Sequence, residues 1–189
     1  MSFEKKVQFT RVRNVTIPKR ANKHDAGTDF FVPFYDKQFL EDMIIKNTNN
    51  RIFYKPILKS DPYTGKDYVA DMEFVIPAGE QIMIPSGIKV WINGKNTYLQ
   101  ATNKSGVASK FHLDVMANTI DADYQGEVHI NLSNNGNTEI TIKCGQKLVQ
   151  FIHKFYIDTE WDEISNDEYN NIEPSDRGEG MAGSTGIFS

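Results

Sequence analysis

Residues 73–92, EFVIPAGEQIMIPSGIKVWI, constrain the fold most. Their apolar runs are punctuated by Pro77-Ala78-Gly79 and Pro85-Ser86-Gly87, and proline and glycine at this spacing open turns and break helices. Short strands spaced by such turns point to a sandwich or barrel, not to βαβ units. The pattern recurs along the chain. Residues 7–17, VQFTRVRNVTI, are β-branched and alternate around Arg11 and Arg13, reading as a strand that Pro18 ends. Residues 30–32 form a short strand after a turn or bulge at Gly27 and are closed by Pro33. Further strands are expected over 98–101, 111–116, 138–142 and 147–156, the last two flanking a turn at Cys144-Gly145. Residues 102–110, rich in small side chains, can open a short helix with Asn103 or Ser105 near its start. The fold class is all-β.

Residues 117–132, ANTIDADYQGEVHINL, stand out chemically. Val128, Ile130 and Leu132 alternate with His129 and Asn131, the signature of a half-buried strand. Asp121 and Asp123 lie two apart, so they share a face if the chain is extended there. The plain reading is a hairpin with an acidic turn, Gly126 freeing the backbone and Asp123 capping the turn.

Composition narrows the options. The 189 residues suit one domain with an appendage, and 21 Lys+Arg against 25 Asp+Glu, a net charge of -4, argue against nucleic acid or a membrane surface as partner. An anionic ligand therefore needs local donors. The single cysteine, Cys144, excludes an internal disulfide and a multi-cysteine zinc site and reads as an ordinary thiol. His24, His112, His129 and His153 lack metal-site spacing and default to surface or core roles. With no signal-like or membrane-length apolar run, the expected location is soluble, intracellular and cytoplasmic.

Three divisions are expected: a β domain over 1–157, an acidic arm over 158–176 and a glycine-rich lid over 177–189. Within the first, residues 36–72 read as a surface insertion, with a short amphipathic helix in FLEDMIIK, a turn in NTNNR and a hairpin tip at DPYTGKD. Residues 157–176 hold eight carboxylates and no Lys or Arg. The terminus brings Arg177, repeated glycine N–H groups and the hydroxyls of Ser184 and Thr185, a set suited to phosphate.

Five segments, AGTDFF, NKSGVAS, NTIDADYQGEV, KCGQKLVQF and RGEGMAGSTG, resemble in their order motifs one to five of the trimeric dUTPase family. The likeness covers 7–35, 73–157 and the terminus. It implies a distorted jelly-roll-like β-barrel of the β-clip type, assembled as a homotrimer whose sites lie at subunit interfaces under the C-terminal arm of another subunit. It also implies a dUTP diphosphatase, hydrolysing dUTP to dUMP and pyrophosphate with Mg²⁺ on the triphosphate.

Carried over by residue, the resemblance makes Asp121 the carboxylate that activates water at the α-phosphorus and Arg177 a finger on the phosphates. Tyr124 packs against deoxyribose and excludes a 2′-hydroxyl. The main chain of motif three, with Asn118 and Ile120, reads the uracil edge. Lys104, Ser105, Gly106 and Gln150 attend the phosphates, and Gly183, Ser184 and Thr185 close over them. Asp29 supports the metal's water shell without binding it directly.

Three positions depart from the family pattern. Lys104 stands for Arg, Gln146 for the common Asp of motif four, and Ala182 for a base-stacking Phe that Phe188 would replace. Two other readings stay open: a non-hydrolytic nucleotide-responsive module that docks a protein partner through 36–72, and a dCTP deaminase relative. The deaminase branch carries an IDPG-type turn and a catalytic Glu, whereas this chain has IDADY and the terminal GSTG.

Overall fold

The turn-punctuated sequence folds into eleven strands in a computed structural model that describes residues 6–175 and Gly178. They are β1 (Val7–Arg11), β2 (Thr28–Phe31), β3 (Phe53–Ser60), β4 (Asp67–Ile76), β5 (Gln81–Ile92), β6 (Thr97–Asn103), β7 (Leu113–Val115), β8 (Thr119–Ile120), β9 (Glu127–Asn134), β10 (Ile140–Lys143) and β11 (Lys147–Phe155). Helices α1 (Lys37–Lys46), α2 (Ser105–Phe111) and α3 (Asn166–Asn170) interrupt them. Among the described residues the strands form three antiparallel sheets, β1-β5-β9-β7, β10-β4-β3 and β2-β11-β6-β8, an all-β, jelly-roll-like arrangement.

Alternation decides what is inside. On β5 and β9, Ile82 lies opposite Leu132 and Ile84 opposite Ile130, and all four are buried. Such cross-strand apolar pairs are the unit of sheet stability. Pro85-Ser86-Gly87 does not end a strand as a turn would. The register with β9 shifts between Pro85 and Lys89, so β5 continues through a bulge. Gly87 has φ +75°, and a Cβ there would lie 2.9 Å from Val15 Cγ1. The strand expected over 7–17 pairs only to Arg11, after which Val15 enters the core.

The expected surface insertion over 36–72 is corrected in its first half. Asp36 caps α1 by accepting from Phe39 N at 2.8 Å, and the helix buries Phe39 and Met43 completely. Phe39 meets Phe74 of β4 edge to face, with centroids 5.8 Å apart. At the other end the Asn47 side chain donates to the Met43 and Met83 carbonyls and accepts from Met83 N, each at 2.8 Å, tying α1 to β5. The helix is therefore part of the core. The β3–β4 hairpin has an exposed tip, as expected, with Tyr63 at 96 % exposure.

The described residues divide into two units, one ending at Ile157 and one beginning at Asp158. In the second, the arm is not extended throughout. Ser165 and Glu168 form a reciprocal capping box that starts α3. Among the described residues no helix is long and apolar enough to cross a membrane.

Candidate active site

One sheet gathers four of the five motif segments. In the order β2-β11-β6-β8, Gln150 lies opposite both Asp29 and Thr102, and Leu99 of β6 lies opposite Ile120. Residues from motifs one, four, two and three thus become neighbours through strand pairing alone. Apart from Gly178, the fifth motif lies outside the described residues, with Arg177, Ala182, Gly183, Ser184 and Thr185, as does Phe188.

The Asp121 segment is a turn rather than a run of strand. Tyr124 N donates to the Asp121 carbonyl at 3.2 Å, closing a four-residue turn. The expected hairpin is corrected too, because β8 pairs with β6 whereas β9 pairs with β5 and β7. The turn therefore carries the chain from one sheet to another. Its start is fixed where Ala101 N donates to the Asn118 carbonyl at 2.7 Å.

Asp121 is exposed and borders two cavities. One, of about 610 Å³, is also lined by Lys95, Asn96, Tyr98, Asp123 and Tyr156. The other, of about 180 Å³, lies under the turn and is lined by Met83, Thr119, Tyr124, His129 and Asn131. Asp123 faces only the larger one. Tyr124 is held in place: its hydroxyl donates to the Glu127 carbonyl at 3.0 Å. A Cβ on Gly126 would lie 2.3 Å from the Tyr124 hydroxyl oxygen, so this glycine makes room for the ring.

Glu127 belongs to a second cluster that sequence reasoning missed. Its carboxylate accepts from Arg13 Nε at 2.8 Å, Arg13 Nη2 at 2.9 Å and Gly87 N at 2.7 Å. Arg13 Nη2 also donates to Asp42 of α1 at 2.6 Å. The alternation around Arg13 was visible, but partners 29 and 114 residues away were not.

Two residues expected near the phosphates and the metal's water shell form an ion pair. Asp29 is 3 % exposed and is paired with Lys104 and, at 3.0 Å, with Lys147. Burial raises its pKa, but the hydrogen bonds and charges of the two lysines outweigh this and hold the carboxyl below its ordinary value. Lys104 thus hydrogen-bonds the Asp29 carboxylate directly.

The short helix expected to open near Asn103 or Ser105 is α2: Lys104 is its N-cap, and Ser105 and Gly106 form its first turn without a side-chain cap. Asn103 instead donates to Asp114 at 2.7 Å and accepts from Val115 N at 2.8 Å. Gln150 Nε2 donates to the Asn103 carbonyl at 3.1 Å. Its amide packs over Gly27, where a Cβ would lie 2.3 Å from Oε1. Gln146 accepts from Lys143 N at 2.9 Å, a role within its own turn.

Cys144 donates to the Met72 carbonyl at 3.5 Å, and burial, with Asp71 adding, pushes its thiol up to about 12. Such a thiol is unreactive. His112 ends α2 in the left-handed region at φ 50°.

Fold and site together define an all-β protein with an acidic turn set between two cavities at the edge of one sheet. The family model for dUTPase matches residues 55–186, taking in motifs two to five and leaving the AGTDFF segment ahead of it. The deoxyuridine 5′-triphosphate nucleotidohydrolase of Oryza sativa subsp. japonica is 34 % identical over 123 residues, 65 % of this chain and 68 % of that one. The enzyme of that name from Rickettsia bellii is 32 % identical over 148 residues, 76 % of this chain and 95 % of its own. In structure, the Staphylococcus bacteriophage 80alpha dUTPase superposes with a TM-score of 0.66 at 20 % identity, covering 96 % of this chain and 99 % of the phage chain. The chain belongs to the dUTPase family.

Proposed function

We propose that this protein is a dUTP diphosphatase that hydrolyses dUTP to dUMP and pyrophosphate at the Asp121 turn. The observation that carries the reading is the position of Asp121: an exposed carboxylate between two cavities, with Tyr124 fixed beside it. The carboxylate accepts a proton from the water that attacks the α-phosphorus, and the bond from that phosphorus to the pyrophosphate oxygen breaks. A positioned carboxylate within hydrogen-bond reach of the water is what general-base catalysis requires.

Tyr124 has little freedom to yield to a 2′-hydroxyl, since both its hydroxyl and its ring position are fixed. The main chain at Asn118 and Ile120, anchored to β6, meets the uracil edge. Ser105 and Gly106 offer a hydroxyl and backbone N–H groups to the phosphates, with Gln150 alongside. Lys104, paired with Asp29, joins them on the phosphate side. In the homotrimer of this reading, Arg177, Gly183, Ser184 and Thr185 from the arm of another subunit attend the phosphates.

Members of the family generally use Mg²⁺. Among the described residues no group of three or more His, Cys, Asp or Glu side chains could hold a metal. Mg²⁺ keeps several waters and binds mainly through substrate phosphates, so it needs no such cluster, and in this reading it arrives on the triphosphate, whose charge it neutralises. Assembly as a homotrimer accompanies this reading, and light scattering checks it through the mass of three chains. A protein partner that uses 36–72 has the hairpin to grip, because the apolar face of α1 is buried.

The test is pyrophosphate release from dUTP, UTP, dTTP and dCTP with Mg²⁺. Cleavage of dUTP alone supports the base and sugar assignments. Tight dUTP binding without turnover overturns hydrolysis in favour of the binding module, and ammonia release from dCTP overturns it in favour of the deaminase branch.

A further inference from the structure

Strand alternation sends Val128, Ile130 and Leu132 into the core and so sends His129 and Asn131 to the opposite face of β9. There they line the cavity of about 180 Å³ with Met83, Asp121 and Tyr124. Nε2 of His129 is buried and has no hydrogen-bond partner among the described residues. A buried polar nitrogen left unsatisfied is costly, and the His129 side chain that carries it belongs to a cavity that also borders Asp121.

The cavity is smaller than the roughly 300–1,000 Å³ of pockets that take a whole drug-sized ligand, which suits one heterocycle better than an entire nucleotide. Burial, aided by the charge of Lys46 and opposed by that of Glu127, holds the imidazole below its ordinary pKa, so the ring is neutral at physiological pH. A neutral imidazole presents one donor and one acceptor, and a pyrimidine edge offers complements to both.

We propose that His129 is a specificity-determining residue: its Nε2 forms a hydrogen bond with the pyrimidine base of the bound nucleotide in the cavity beneath the Asp121–Tyr124 turn. This rests on the reading of that turn as the nucleotide site. The four histidines showed no metal spacing in the sequence, and alternation alone does not reveal that one of them shares a cavity with a carboxylate and a tyrosine. Discrimination follows from the chemistry, because a base whose edge cannot complement the imidazole leaves a buried group unpaired.

The experiment compares wild type with His129→Leu, which keeps bulk and removes the polar nitrogen, and His129→Gln, which restores a donor and an acceptor. Steady-state kinetics on dUTP, dTTP and dCTP accompany ¹⁵N spectra of the imidazole during titration with dUMP or, separately, pyrophosphate. The Leu variant should raise KM for dUTP about tenfold, equivalent to about 1.4 kcal/mol, with a much smaller change in kcat. It should also narrow the preference for dUTP, and the Gln variant should recover part of both. The wild-type imidazole resonance should shift with dUMP and stay in place with pyrophosphate.

A folded Leu variant with wild-type KM and base preference, or a resonance unmoved by dUMP, overturns the proposal. Asp121→Asn separates the two levels. If it abolishes turnover while His129→Leu changes nothing, only the histidine assignment falls; if it turns over like wild type, both readings fall.

Discussion

Replacing Arg13 by Met should destabilise the fold and loosen the Tyr124 site together. Arg13 holds Glu127 through two hydrogen bonds and Asp42 through a third, with side-chain exposures of 12 % for Arg13, 15 % for Glu127 and 25 % for Asp42. Methionine fills part of the space but leaves the Glu127 and Asp42 carboxylates without the guanidinium that joins them. Removing one partner of a buried ion pair costs about 3–5 kcal/mol, and the partial exposure of Asp42 places this case near 3. At about 2–4 °C per kcal/mol for a chain of this size, the melting temperature should fall by roughly 6–12 °C.

The same cluster reaches the site through the Glu127 main chain, whose carbonyl holds the Tyr124 hydroxyl. Differential scanning calorimetry reads the first effect, and the dUTP to UTP ratio of kcat/KM reads the second. Arg13→Lys keeps a charge but loses the planar fork and should fall between wild type and Met. An Arg13→Met protein that melts with wild type would refute the assignment of this cluster as a strut between α1 and the site.

Two further outcomes follow from neighbouring contacts. Asp29 has a folded-state pKa held below its unfolded value by Lys104 and Lys147, so its contribution to stability is complete above about pH 4 and is lost as pH falls through the folded value. The wild-type melting temperature should therefore drop more steeply below about pH 4 than that of Asp29→Asn, and parallel curves would contradict the pairing. Gly126→Ala places a methyl 2.3 Å from the Tyr124 hydroxyl oxygen. The ring must move, at an overpacking cost of about 1–3 kcal/mol, and discrimination between dUTP and UTP should fall. An alanine variant with wild-type discrimination would detach Tyr124 from sugar selection.

Much of the fold was legible because its signals are local. The alternation at Val128, Ile130 and Leu132, the punctuation of 73–92 and the order of the five motifs can all be read within short windows. What escaped depends on who covers whom. The amphipathic pattern of α1 gives an apolar face but not its partner, and Phe74, 35 residues beyond Phe39, turns a surface helix into core. Lys104 reads as a phosphate residue, but no short window shows its contact with Asp29, 75 residues away. Pro85-Ser86-Gly87 carries turn chemistry, yet β9 and β1 flank it and absorb it as a bulge. Asp121 and Asp123 share a face only if the chain is extended, and the Tyr124 N–H to Asp121 carbonyl bond removes that condition.

Asp121 remains the residue on which the function turns, and one measurement addresses it directly. Pyrophosphate release from dUTP with Mg²⁺ is compared between wild type and Asp121→Asn, with nucleotide binding followed in parallel. Asparagine keeps the shape but cannot accept the proton of the attacking water. A general base of this kind contributes roughly 10²–10⁴-fold, so the variant should bind dUTP and lose that factor or more in kcat. Wild-type turnover in Asp121→Asn would contradict the assignment.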